Sequence, residues 1–165
     1  MPLRPSNLPT DSGTYLLILC ARRAQTVRVG KLGGFSVAPG FYYYVGSAFG
    51  GGGLRSRLSR HFKRDKTRRW HIDYLRHKTA LAGAYWQCSA DKAEDDWVIR
   101  LSQCNALSRP FSGFGASDSK QDSHLFFCPY LLSQTRLEQL TGVSLDGGLR
   151  AAALTYLKPH NSGQT

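Results

Sequence analysis

The chain is 165 residues long, with 41% hydrophobic and 20% charged side chains, so it has the length of one domain and enough apolar matter for a core. It carries 22 Lys and Arg against 11 Asp and Glu, a net charge of +11, and its 12% aromatic content excludes a disordered basic tail. The longest apolar run, Tyr15 to Ala21, is too short to cross a bilayer, and Met1-Pro2-Leu3-Arg4-Pro5 has no apolar export signal.

Residues 1–12 are rich in Pro, Ser and Asn and read as a flexible tail. Gly13 to Cys20 is apolar on consecutive positions, the pattern of a strand covered on both faces. Thr26 to Gly30 alternates and reads as a half-buried strand. Residues 30–40 hold four glycines and Pro39 and read as a loop. Phe41 to Val45 is a third strand, closed by Gly46. Three strands so close in sequence suggest an antiparallel meander.

After the glycines at 50–53, Leu54, Leu58 and Phe62 recur every four residues and predict a helix over 54–64. Arg57 and His61 share a second stripe of that helix, one turn apart. Trp70 to His77 predicts a short helix, Leu81 to Cys88 a strand, and Asp91 to Cys104 a helix on Trp97, Val98 and Leu101. Residues 108–123 read as a polar loop and Leu125 to Cys128 as a strand. Ser133 is an N-cap residue for a last helix, which Gly142 would end. The order is that of an α+β domain: a central three-stranded, mainly antiparallel sheet flanked by helices over residues 13–141, with an extra strand and helix, and a C-terminal extension over 142–165.

Residues 53–78 hold ten Lys and Arg against Asp65 and Asp73, which concentrates most of the positive charge in one segment. Such a patch attracts a polyanion, because each neutralised phosphate releases a condensed counterion. Nucleic acid is the expected partner, DNA before RNA. A membrane surface is not expected, since the segment lacks a broad Leu/Phe face. Cys20, Cys88, Cys104 and Cys128 are widely spaced without a CxxC pair, as for reduced thiols in the cytoplasm. Cys104, His124 and Cys128 are too sparse for a zinc site.

On the helix over 91–104, Glu94 falls on the side of Trp97, Val98 and Leu101. An inward carboxylate is either paired with a basic residue or binds metal. As a metal ligand, Glu94 would hold one Mg²⁺ or Mn²⁺, with water and phosphate completing the shell. Arg57 offers a permanently charged fork for a phosphate. Arg55, Arg60, Lys63, Arg64, Arg68 and Arg69 would track a phosphate backbone, contacts that position a strand but read no sequence.

Gly13-Thr14-Tyr15 opens one strand, Tyr44-Val45-Gly46 closes another, and Arg57 and His61 follow on a helix, with Glu94 on a later one. This ordered set resembles the GIY-YIG nuclease superfamily. The runs Tyr42 to Ala48, Arg57 to His61, Trp70 to Leu75, and Gly113-Phe114-Gly115-x-Ser117-Asp118 with Ser123 to Phe126 are similar to a small, uncharacterised, DUF123-like branch of it. That branch is also found fused to DNA-repair glycosylase domains. The resemblance implies a divalent-metal-dependent endonuclease that hydrolyses DNA in repair or recombination. A non-catalytic nucleic-acid-binding module on the same fold is the alternative. It implies Tyr15, Tyr44, Arg57, His61 and Glu94 as catalytic residues, with Tyr15 as base or relay, Tyr44 as orienter and His61 as a possible intermediary. Positive neighbours such as Arg57 are expected to lower the tyrosine pKa values. A monomer, with specificity from a partner protein or from DNA structure, completes the expectation. Thr14 stands where the superfamily has Ile, and the branch's cysteines are absent at Asp95, Ser119 and Gln121.

Overall fold

The structure, a computed structural model, describes residues 2–116 and 119–154. Ser117 and Asp118 of the glycine-rich motif, and residues 155–165 of the C-terminal extension, lie outside the described residues. Five strands form one antiparallel sheet: β1 (Gly13–Ala21), β4 (Gly40–Ala48), β5 (Ala80–Cys88), β6 (Leu125–Cys128) and β7 (Asp146–Leu149), in the order β6-β4-β1-β5-β7. β2 (Gln25–Arg28) and β3 (Gly34–Val37) make a separate hairpin between β1 and β4. The helices are α1 (Gly53–Phe62), α2 (His71–Lys78), α3 (Glu94–Ser102), α4 (Gln134–Thr141) and the short α5 (Ala151–Leu154).

The α+β class holds, but the three-stranded sheet expected from the sequence is five-stranded. β1 is buried at every position, which is why its apolar run does not alternate. Its partner is β4, in register from Gly13 opposite Ala48 to Ala21 opposite Gly40. The strand expected at 26–30 is therefore not a third member of a meander. It pairs with β3, inside the stretch expected to be a loop, and the hairpin packs Val27 and Val37 down while its other residues face outward or lie part-buried. β7 has no sequence signal, because Asp-Gly-Gly lacks β-favouring side chains. It is held by its backbone pairing to β5.

Residues 2–12, read from composition as a tail, make contacts with the body of the domain. Leu3 and Leu8 are buried, and the Leu3 N–H donates to the Leu149 carbonyl at 2.9 Å. α1 has no side-chain N-cap. Its orphan Leu54 and Arg55 N–H groups instead donate to the carbonyls of Asp11 and Pro9, at 2.9 and 2.8 Å. The N-terminal segment thus caps the helix that carries Arg57. α4 is capped as its sequence suggests: the Ser133 hydroxyl accepts from the Arg136 N–H at 3.1 Å, and Gly142 ends the helix at φ +75°.

The sheet divides the core in two. On one face, Tyr15, Leu17, Leu19 and Tyr42 meet α1, α2 and the hairpin through Leu54, Leu58, Ile72 and Leu75. On the other, Leu16, Ile18, Tyr43 and Val45 meet α3 and α4 through Trp97, Val98, Leu101 and Leu137. Among the described residues no helix is long and apolar enough to cross a membrane.

Candidate functional site

A cleft of about 470 Å³ opens where the end of β4, α1, and the first turns of α2 and α3 meet the segment before β6. Tyr44, Arg57 and Glu94, remote in sequence, all line it. Tyr15 and His61 stand behind its wall, 1% and 0% exposed. They touch each other: Tyr15 Oη lies 2.7 Å from His61 Nε2. Tyr15 pairs across the sheet with Gly46, and its ring crosses that residue. A Cβ at position 46 would collide with the phenol, which explains the glycine of Tyr44-Val45-Gly46.

Burial is the largest influence on these groups. It lowers the His61 pKa to about 3, and the positive Lys66, Arg57 and Arg60 push the same way against Asp73. His61 is therefore a neutral imidazole at physiological pH, and its buried Nδ1 has no hydrogen-bond partner. Burial raises Tyr15 well above the ordinary phenol value, with Tyr44, Glu94 and Asp73 adding to it and Arg57 opposing. Tyr44 is raised too, by burial first and then by Glu94. The lowering expected from Arg57 is present, but desolvation outweighs it.

Glu94 is the first residue of α3, not a mid-helix position, because the helix expected from Asp91 starts later. Burial would raise its carboxyl. The contacts of His124 and Ser47 and the charge of Lys92 more than offset that, and hold it below the usual carboxylate range. His124 Nδ1 lies 2.8 Å from Glu94 Oε1, off the ideal hydrogen-bond line, and its buried Nε2 has no partner. The buried Thr14 Oγ1 accepts the Ala93 N–H at 3.2 Å, fastening the residue before Glu94 to β1. The hydroxyl at position 14 thus has a structural use. Glu94 and Asp95 are the carboxylates lining the cleft, and Asp95 accepts from the Ser119 hydroxyl at 2.9 Å. Among the described residues no group of three or more His, Cys, Asp and Glu stands together as a metal cage.

The basic residues expected to track a backbone divide into two sets. Arg60 donates to Asp73 Oδ2 at 2.6 Å and to the Thr67 carbonyl at 2.8 Å. Arg55 donates to the Leu8 carbonyl and Arg64 to the His77 carbonyl, each at 2.8 Å. These three hold the fold with at least part of their guanidinium. Arg69 lines the cleft, Arg68 lies over the Tyr74 ring at 5.8 Å, and Lys63 is exposed. Arg57 lies over the Trp70 ring, 4.3 Å from its centroid, which orients its fork in the cleft wall.

Trp70-His71-Ile72-Asp73, to which the sequence alone assigns no role, is now legible. Asp73 is buried, accepts the N–H groups of Arg69 and Trp70 at 2.9 and 3.1 Å, and has Lys66 at 3.5 Å besides Arg60. It caps α2 and neutralises the cations behind the cleft. Ile72 is core. His71 Nδ1 accepts the Gly115 N–H at 2.9 Å and so ties the glycine-rich segment to α2. Gly115 sits at φ +68°, and a Cβ there would stand 2.8 Å from the Tyr44 ring. Sequence reasoning gave Ser47 and Thr14 no role, although both stand inside quoted motifs, and missed Lys92, whose only signal is its place two residues before Glu94.

A family model described as "Domain of unknown function DUF123" matches residues 14–142, from the start of β1 to the glycine that ends α4. No curated protein and no solved structure matches the chain.

Proposed function

The chain belongs to the DUF123 family, and from its cleft we propose that the protein is a divalent-metal-dependent endonuclease that hydrolyses phosphodiester bonds in DNA. The observation that carries this reading is the meeting of a guanidinium, a phenol and an ionised carboxylate in one cleft, Arg57, Tyr44 and Glu94. The motif likeness to GIY-YIG nucleases and the charge of residues 53–78 support it. A place in repair or recombination, as a monomer guided by DNA structure or a partner protein, follows from the same likeness.

Hydrolysis needs a water aimed at phosphorus, a route for its proton, and positive charge where the transition state gains negative charge. Arg57 binds and orients the phosphate, its planar fork already set by Trp70. Tyr44 is half-buried in the cleft wall and donates its hydroxyl to the water or the phosphate. Tyr15 and His61, with Oη 2.7 Å from Nε2 behind that wall, are assigned as the relay for the proton of the attacking water, which passes on to bulk solvent. His124 and Ser47 keep Glu94 charged, and Thr14 holds its helix start against the sheet. A hard dication suits this donor set, since Glu94 offers carboxylate oxygen at a side chain 26% exposed. Bound there, it would supply Lewis-acid stabilisation of the phosphate charge.

The test is plasmid cleavage with Mg²⁺ or Mn²⁺. The wild-type protein is expected to nick or cut, and Glu94→Ala and Arg57→Ala are each expected to lower the rate by about 100-fold or more. Cutting that survives both substitutions would overturn the site assignment. Salt-sensitive DNA binding without any cutting, on folded protein, would make the domain a binding module.

A further inference from the structure

Two more grooves lie along α2, apart from the cleft. The first, of about 390 Å³, lies between α2 and the hairpin and is lined by Arg28, Arg68 and Tyr74. The second, of about 730 Å³, lies at the far ends of β1 and α2 and is lined by Arg22, Arg23 and Arg64. They share His77 and Lys78 in their walls and so adjoin as one basic depressed surface. At its near end Arg68 adjoins Arg69, which lines the catalytic cleft. The only acid lining either groove is Asp65, with a side chain 88% exposed.

This charge is unlike that of Arg60, Lys66 and Arg76, which the fold uses for Asp73 and for carbonyl groups. The side chains of Arg23, Arg28 and Lys78 have no hydrogen-bond or ion-pair partner among the described residues. Gathering them there costs self-repulsion, against which the groove linings offer one carboxylate, the exposed Asp65. The hairpin that brings Arg28 here is the excursion between β1 and β4, and Gln25 pins its start to α2 by donating to the Lys78 carbonyl at 3.1 Å. The exposed large hydrophobic side chains among the described residues, Ile99 and Tyr130, lie on neither groove, so the surface has no apolar wedge for a membrane.

We infer that this depression is a second phosphate-binding site, in which Arg23, Arg28, Arg68 and Lys78 hold the sugar-phosphate backbone of the same DNA on one side of the bond being cut. It rests on the reading that the cleft engages DNA. The separation follows from the elements. From Tyr15 to Cys20 is five strand positions, about 17 Å, and from Arg57 to the end of α1 at Phe62 is five helical positions, about 8 Å, with Arg64 two residues further along the chain. At about 3.4 Å per base pair the path covers roughly three to five base pairs beyond the scissile bond.

The experiment measures affinity of the full chain for a labelled duplex by fluorescence anisotropy across a salt series, in EDTA, so that no cutting is involved. Arg23→Glu with Lys78→Glu is expected to weaken binding about tenfold or more and to reduce the slope of log K against log salt by about 2, close to one per lost phosphate contact. Arg136→Glu, on α4 across the sheet, is expected to leave the slope unchanged. The neutral pair Arg23→Gln with Lys78→Gln guards against a folding defect and is expected to show the same direction. Wild-type slope in both double variants would overturn the proposal, as would equal competition by polyglutamate, or loss of binding to anionic vesicles with duplex binding intact. A protein that binds with the predicted slopes but never cuts with metal refutes the nuclease reading alone. One that cuts, with slopes untouched by either pair, refutes the second site alone.

Discussion

The two faces of the central sheet are built on different principles. Under α3 and α4 the packing is almost wholly apolar: Trp97, Val98, Leu101, Phe126 and Leu137 are fully buried, with the Tyr43 hydroxyl satisfied by the Leu132 N–H at 2.8 Å. Under α1 and α2 the burial includes His61, Asp73, Arg76 and Thr79. Arg76 alone donates to the carbonyls of His61, Phe62 and Thr79. The apolar face can hold the fold by area and shape. The polar face is costly to desolvate and tolerates no missing partner. Tyr15, Tyr44, Arg57 and His61 lie on it, while Glu94 comes from the first turn of α3, and beside these candidates a rigid, charged frame has a use.

The sharpest contrast is between deleting a large apolar side chain and a small charged one. Trp97→Ala is expected to cost about 3–5 kcal/mol through its cavity. Asp73→Ala removes far less volume, yet is expected to cost about 3 kcal/mol or more, because Arg60 and Lys66 lose their buried counter-charge and α2 its cap. Urea unfolding of both variants measures this. An Asp73→Ala loss no larger than that of a surface change would erase the distinction between the faces.

The second contrast is in pH. His61 stays neutral in the fold, with a pKa of about 3 that burial sets first and Lys66, Arg57 and Arg60 reinforce, while the unfolded chain takes up a proton near 6.5. Between those values the unfolded state binds the extra proton, so stability falls as pH falls, by at most about 1.4 kcal/mol per unit for one proton. His71, lowered by burial, adds in the same direction. Asp73 and Glu94, held low, lose their contribution as pH falls through and below their ordinary values of 3.8 and 4.5, at the acid end of this range. Unfolding measured from pH 7 to 5 should therefore decline for the wild type and be much flatter for His61→Gln. Trp97→Ala should shift the curve down without changing its slope. An unchanged slope in the His61→Gln protein would show that the imidazole is not the group responsible.

The smallest effect is at the seam between the faces. Thr14→Val keeps shape and removes the hydroxyl that accepts the Ala93 N–H, a loss of about 1 kcal/mol. If Thr14 positions Glu94, metal-dependent cleavage should fall further than stability does, with weaker apparent metal affinity in a titration. Cleavage that tracks the folded fraction alone would reduce Thr14 to a packing residue.

Much of this was legible before the structure, and what was not has identifiable causes. The spacing of Leu54, Leu58 and Phe62 marks α1, and the uninterrupted apolar run marks β1, because both patterns follow directly from burial. The same logic misread the hairpin. Residues 30–40 are dense in glycine, yet four of them pair as β3. β7 pairs through its backbone, which leaves no periodicity in side chains. Residues 1–12 look loose by composition, but Leu3 and Leu8 find apolar cover, and the backbone finds the open N-terminus of α1.

The amino-acid sequence by itself determined the α+β class, the family, the concentration of charge in residues 53–78, and the candidates Tyr15, Tyr44, Arg57, His61 and Glu94. These are properties of local spacing and composition, readable along the chain. Only the tertiary structure decided that Tyr44, Arg57 and Glu94 share a cleft while Tyr15 and His61 pair behind it, and which arginines serve the fold. Desolvation and partner geometry depend on side chains brought together from distant positions, and no local pattern encodes them.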